Sequence, residues 1–148
     1  MLGTNDLKSH LALLPAQIAK GVQLLVDDVT RMSVARAVDC DRSPRGRAVP
    51  ETRVLLVAPP HLVGSATAHS WGFDEHAARK SRELAAHYAD VTRQVGCAFL
   101  DASEVVTVPD DKHGGDGIHL SADNCATLGA AVAEAVRAIF AAEDAGRR

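Results

Sequence analysis

Apolar positions recur along this chain with two different periods. Ile18, Val22, Leu25, Val29 and Met32 return every three or four residues, with Gln, Lys and Asp between them, the spacing that lines one face of an α-helix. Pro15 stands where that helix would begin, a position at which its missing N–H costs little, and the pattern fades near Ser33. Residues 54–58 form a continuous apolar run closed by Pro59-Pro60, as in a parallel-sheet strand covered on both faces. A second helical stripe of Ala77, Leu84, Tyr88, Val91 and Val95 predicts a helix over residues 73–95, with Gly96 as its terminator. Residues 98–100 read as a short strand. Ser121 is a candidate N-cap for a last helix over residues 122–142, whose apolar positions are Leu128, Val132, Val136, Ile139 and Phe140.

The stretches between are loops. Residues 39–53 hold two prolines, a glycine and four arginines. They read as a solvated connection rather than an anion site, since no aromatic or Gly-rich phosphate turn accompanies them. Residues 61–72 and 102–115 are also loops, the latter ending in Gly114-Gly115. Helix, strand, helix, strand, helix is an α/β alternation and implies a mainly parallel sheet. Ligand sites in such folds lie beyond the C-terminal strand ends. Gly3-Thr4-Asn5-Asp6, Pro59-Pro60 and the loop before His119 should therefore converge on one edge.

Composition narrows the function. The 148 residues suit one domain, with 47% apolar residues to build a core. A formal charge of -3 and 3% aromatic residues argue against nucleic acid as a partner. Cys40, Cys97 and Cys125 are odd in number and far apart, which fits neither a disulfide framework nor a thiolate metal site. Cys97 and Cys125 read as small core residues. No run approaches the ~20 apolar residues that span a bilayer, and no signal peptide follows Met1, so no membrane partner and a cytoplasmic location are expected.

The candidate chemistry lies at the two ends. Asp116 precedes His119 by three residues in Asp116-Gly117-Ile118-His119. A carboxylate so placed can hold Nδ1–H and leave Nε2 to take a proton from a hydroxyl. Gly114-Gly115 and Gly117 give the loop freedom to bend that pair inward. Asn5, after Gly3-Thr4, can direct its carboxamide toward a developing oxyanion, while Asp6 reads as a cap or brace of the turn. His10, His61, His69, His76, His87 and His113 have no evident partner spacing and read as surface residues. His113 with His119 lacks a third ligand for a metal site.

Gly3-Thr4-Asn5-Asp6 resembles the third conserved block (Gly-x-Asn-Asp) of the SGNH hydrolases, the GDSL-type esterases and lipases. Asp116-Gly117-Ile118-His119 resembles their fifth block, Asp-x-x-His. The intervening 54–60 strand, the 97–101 segment and the closing helix with Ala126-Thr127-Leu128-Gly129 are similar to the arylesterase/acyltransferase branch. The resemblance spans residues 1–142 and implies the C-terminal portion of one domain, with 143–148 a frayed tail. It implies a three-layer α/β/α sandwich of flavodoxin-like kind, here lacking its N-terminal strands. It further implies serine ester hydrolysis or acyl transfer on a small carboxylic ester, with water or an alcohol as acceptor. Asp116 and His119 would be catalytic, and Asn5 and Gly3 would form the oxyanion hole. No metal or organic cofactor is called for, and a homo-oligomer is left open. In the family the loop that here holds Trp71 and Phe73 often lines the acyl pocket, so Trp71 is a candidate pocket wall, with simple packing as the alternative.

The family's Gly-Asp-Ser nucleophile block is not found. Ser9, Ser33, Ser43, Ser65, Ser70, Ser81, Ser103 and Ser121 are the available serines, and none sits in a Gly-x-Ser-x-Gly elbow or a Gly-Asp-Ser turn. Met1-Leu2 resemble the end of a buried strand, so an internal methionine taken as the start is the simplest cause. Without a nucleophile, the chain alone should be inactive. The alternatives are an inactive fragment or a binding and assembly module on the same scaffold.

Overall fold

A computed structural model describes residues 1–41, 53–67 and 71–146. The main elements are α1 (Pro15–Asp41), β1 (Leu55–Ala58), α2 (Glu75–Val95), β2 (Ala98–Asp101) and α3 (Ala122–Gly146). Short 3-10 turns at Asn5–Leu7, Ser9–Leu11, Gly64–Thr67, Ala102–Glu104 and Asp111–His113 fill the connections. β1 and β2 pair in parallel, from Leu55 opposite Ala98 to Ala58 opposite Asp101. The α/β alternation is therefore realised around a small parallel sheet, of two strands among the described residues.

Strand side chains alternate between two apolar clusters, as a pleat requires. Leu56, Ala58 and Phe99 pack with Ile18 and Val22 of α1 and with Ala77, Leu84 and Tyr88 of α2. On the other face Leu55, Val57 and Leu100 meet Ala102, Val106, Leu128 and Val132. Helix α2 starts two residues later than the 73–95 expectation, because Asp74 caps it. Its carboxylate accepts from the backbone N–H of His76 and Ala77, both at 3.0 Å. Phe73 is buried in the core instead. Gly96 ends the helix in the left-handed region, as expected.

Helices α1 and α3 depart from the pattern more. α1 continues past Ser33 to Asp41, so residues 39–41 are helix rather than loop. Most of the arginine-rich stretch lies outside the described residues. The row that α1 buries is Ile18, Val22 and Val26 with Ala19, whereas Leu25, Val29 and Met32 are exposed. A helix advances by about 100° per residue, so only one of the two adjacent apolar rows can face α2.

α3 begins where predicted: Ser121 Oγ accepts the Asn124 N–H at 3.1 Å. It runs on to Gly146, so residues 143–146 are helical rather than a frayed tail. Of its predicted stripe only Leu128 is buried, and Phe140 is 57% exposed. Cys125, expected in the core, is exposed, although three and seven residues before Leu128 and Val132 it shares their helix face; burial on that face begins at Leu128. The 122–142 stretch is also long and apolar enough, by length and composition, to cross a membrane, contrary to the expectation that no segment is. Two features instead suit a helix laid on a sheet: Leu128 is buried against β-strand side chains, and Glu134 pairs with Arg137 at 2.6 Å midway along.

Candidate active site

The first turn of the chain is built on Gly3. Its φ of 112° favours glycine, and a Cβ there would lie 2.3 Å from the Tyr88 hydroxyl. That hydroxyl donates to the Leu2 carbonyl at 3.0 Å, tying the turn to α2. Burial, with a further contribution from the Asp6 charge, pushes the Tyr88 phenol up to about 12. The Asp6 N–H donates to Gly3 O at 3.1 Å and Leu7 N–H to Thr4 O at 3.2 Å. Asp6 thus braces the turn through its backbone; its carboxylate makes no hydrogen bond among the described residues. Leu7 is buried in the main core cluster. Asn5 stands exposed at the tip, its carboxamide unpaired among the described residues.

The second turn is Asp116–His119. Asp116 Oδ1 accepts the N–H of Ile118 at 2.9 Å and of His119 at 2.8 Å. Its Oδ2 lies 2.7 Å from His119 Nδ1. The imidazole bond first, then the backbone bonds, hold the Asp116 carboxyl well below the usual carboxylate range. An ionised carboxylate can only accept, so Nδ1 carries a proton toward Asp116, and Nε2 is the ring nitrogen turned away from it. His119 is largely exposed, and its Nε2 has no partner among the described residues.

The loop before it uses its glycines as expected, with Gly114 (φ 73°) and Gly117 (φ 78°) in the left-handed region, and the bend is then held by cross-bonds. Gly115 N–H donates to Asp110 O at 2.8 Å and Gly117 N–H to Pro109 O at 3.0 Å. A Cβ on Gly115 would fall 2.2 Å from the Pro109 carbonyl oxygen, so glycine is needed there for close approach. The Val63 N–H donates to Gly117 O at 3.1 Å, fastening this loop to the one after β1.

The two turns reach the same region through a third segment. Ser9 donates to the Gly72 carbonyl from both N–H, at 2.7 Å, and Oγ, at 2.9 Å. The adjacent Trp71 ring meets the His119 ring edge-to-face, with centroids 5.0 Å apart and planes at 69°. Leu7 and Ile118 also pack in one cluster. No hydrogen bond joins Asn5 to His119. Phe73 is core, and Trp71, the candidate pocket wall, sits on the imidazole.

Among serines with described side chains, Ser9 bonds Gly72, Ser81 donates to Ala78 O, Ser103 to Asp101, and Ser121 caps α3. None bonds His119. The side chains of Ser33, Ser43, Ser65 and Ser70 lie outside the described ones. Two residues escaped the sequence reading. Tyr88 was assigned only to an apolar stripe, although its hydroxyl anchors the first turn. His113, taken as unpartnered, has Nδ1 2.5 Å from Asp110 Oδ1. The signal was present: Asp110 precedes His113 by the same three residues. Among the described residues no group of three His, Cys, Asp or Glu could hold a metal ion.

No protein-family profile matches the chain, and no curated protein matches it. Several solved structures do. The chain is similar to the native aryl esterase of M. smegmatis, at 33% identity and a TM-score of 0.74, over 93% of this chain and 58% of that one. It is similar to Est24, a carbohydrate acetylesterase from Sinorhizobium meliloti, at 33% identity and 0.76, over 95% and 59%. A carbohydrate acetylesterase family member from the same organism matches at 27% identity and 0.72, over 95% and 60%. The fold is esterase-like, and the chain spans about three fifths of the length of the structures it matches.

Proposed function

We propose that this chain carries the acid–base and oxyanion share of a serine ester hydrolase of SGNH type, acting on small carboxylic esters. The nucleophile would lie on polypeptide outside these 148 residues, as would further strands completing a three-layer sandwich. The observation that carries this reading is the Asp116–His119 pair, 2.7 Å apart, whose Nε2 has no partner among the described residues. In the reaction, a serine attacks the ester carbonyl while His119 Nε2 takes its proton. Asp116 stabilises the imidazolium, and the Asn5 carboxamide with nearby backbone N–H groups, Gly3 shaping the turn, binds the tetrahedral oxyanion. His119 then protonates the leaving alcohol and activates water, or a second alcohol in acyl transfer. None of these steps calls on a metal or organic cofactor.

Two further facts support the division of labour. The matched esterases are longer by about two fifths of their own length, and this chain exposes Met1, Leu2, Leu14, Leu24 and Leu25, an apolar surface that suits cover by more protein. The widely spaced cysteines agree with a reducing cytoplasm. The test is turnover of p-nitrophenyl acetate by the product of the reading frame extended upstream of Met1. A Gly-Asp-Ser turn in the extension, with kcat falling at least about 10³-fold in His119→Ala, is the expected result. Turnover that survives His119→Ala would refute the reading.

A further inference from the structure

The loop that carries Asp116 and His119 contains the same arrangement twice. Asp110 Oδ1 accepts the His113 N–H at 3.2 Å and lies 2.5 Å from His113 Nδ1. The His113 imidazole holds the Asp110 carboxyl below its ordinary value. His113 therefore resembles His119: Nδ1 is committed to a carboxylate, and Nε2 has no partner among the described residues.

Both imidazoles line one cleft of about 390 Å³, with Gly114, Gly115 and Ser121 among its walls. Their relative placement is set by the loop's own cross-bonds, Gly115 N–H to Asp110 O and Gly117 N–H to Pro109 O. An exposed Asp–His pair adds little to stability by itself. Inside a cleft shared with His119, it instead supplies a directed group that can donate or accept a hydrogen bond. Pro109 and Leu120 join the imidazoles, the Ser121 hydroxyl and the glycine backbone in its walls, and the two imidazoles with that hydroxyl give a hydroxylated group several hydrogen-bonding partners.

We propose that His113 is a substrate-binding residue on the alcohol side of the ester, its Nε2 hydrogen-bonding a hydroxyl of a polyhydroxylated alcohol moiety. That bond favours esters whose alcohol moiety carries a further hydroxyl, as in a polyol or sugar, over esters whose alcohol moiety carries none. This rests on the reading of His119 as the ester-site base, and the test separates the two. The 148-residue chain, labelled with ¹⁵N, is titrated with glycerol monoacetate and with phenyl acetate while its imidazole resonances are followed. Glycerol monoacetate is expected to move both His119 and His113, and phenyl acetate to move His119. His113→Ala is expected to raise the Kd for glycerol monoacetate about five- to tenfold, the worth of one hydrogen bond, with no change for phenyl acetate. His113→Gln, which keeps a hydrogen-bonding group, recovers part of the loss. If glycerol monoacetate moves His119 alone, or His113→Ala affects both esters alike or neither, this proposal fails while the site reading stands. If neither ester moves His119, both fail.

Discussion

Helices α2 and α3 are both long and both carry an apolar stripe, yet they sit in opposite surroundings. α2 buries Ala77, Leu84, Tyr88 and Val91 between α1 and the strands. α3 buries Leu128 near its start and leaves Val136 and Phe140 exposed. The difference reaches the site. Asn5's turn is fastened to α2 through the Tyr88 hydroxyl. The Asp116–His119 turn leads into α3, but it is held by its own carboxylate bonds and by Val63. The Asp116–His119 pair is thus positioned by hydrogen bonding within its own loop, and Asn5's turn by its attachment to the core through Tyr88 and Leu7.

The largest expected effect breaks the α2 side. Leu84→Ala empties a fully buried position and should cost about 2–5 kcal/mol in urea unfolding. Next comes the anchor of Asn5's turn. Tyr88→Phe leaves the Leu2 carbonyl without its donor and should cost about 1–2 kcal/mol. It should also change the alkaline response. Because the Tyr88 phenol is raised to about 12 in the fold, its contribution is complete below about pH 10, the unfolded value. It is lost as pH rises through the folded value. Tyr88→Phe should remove that alkaline decline in a pH series of unfolding midpoints.

On the locally held turn, Asp116→Asn keeps an acceptor for the two backbone N–H groups and so should change stability less. The Asp116 carboxyl is depressed in the fold, so its ionised form stabilises above about pH 4. That stability is lost as pH falls toward the folded value, and Asp116→Asn should flatten this acid limb. The Asn side chain would also allow the other imidazole tautomer, which NMR of the His119 ring nitrogens would register. If the upstream-extended protein has the proposed esterase activity, its kcat should fall by about 10³–10⁴-fold in Asp116→Asn. The smallest effect belongs to α3: Phe140→Lys, at a 57% exposed position, should lie within about 0.5 kcal/mol of wild type. A larger loss would mean that α3 is covered as α2 is.

The α/β order, α2 with its cap residue Gly96, and the Asp116–His119 spacing were legible because each is a local pattern. Burial was less so. Residues such as Leu25, Val29 and Phe140 have the periodicity of core residues, but periodicity states only that a face is apolar, not that something covers it. The Tyr88–Leu2 bond joins residues 86 apart in sequence, a distance over which single-sequence patterns carry no information. Asp110–His113 had the same spacing as the recognised pair and went unread because no matching motif drew attention to it.

The central claim, that Asp116–His119 awaits a serine from outside this chain, is tested most directly with a serine-reactive phosphonate. No labelling of the 148-residue chain is expected, whereas one serine of the upstream-extended protein should be labelled, and that labelling should disappear in His119→Ala. Stoichiometric labelling of the 148-residue chain at one of its own serines, lost in His119→Ala, would contradict it.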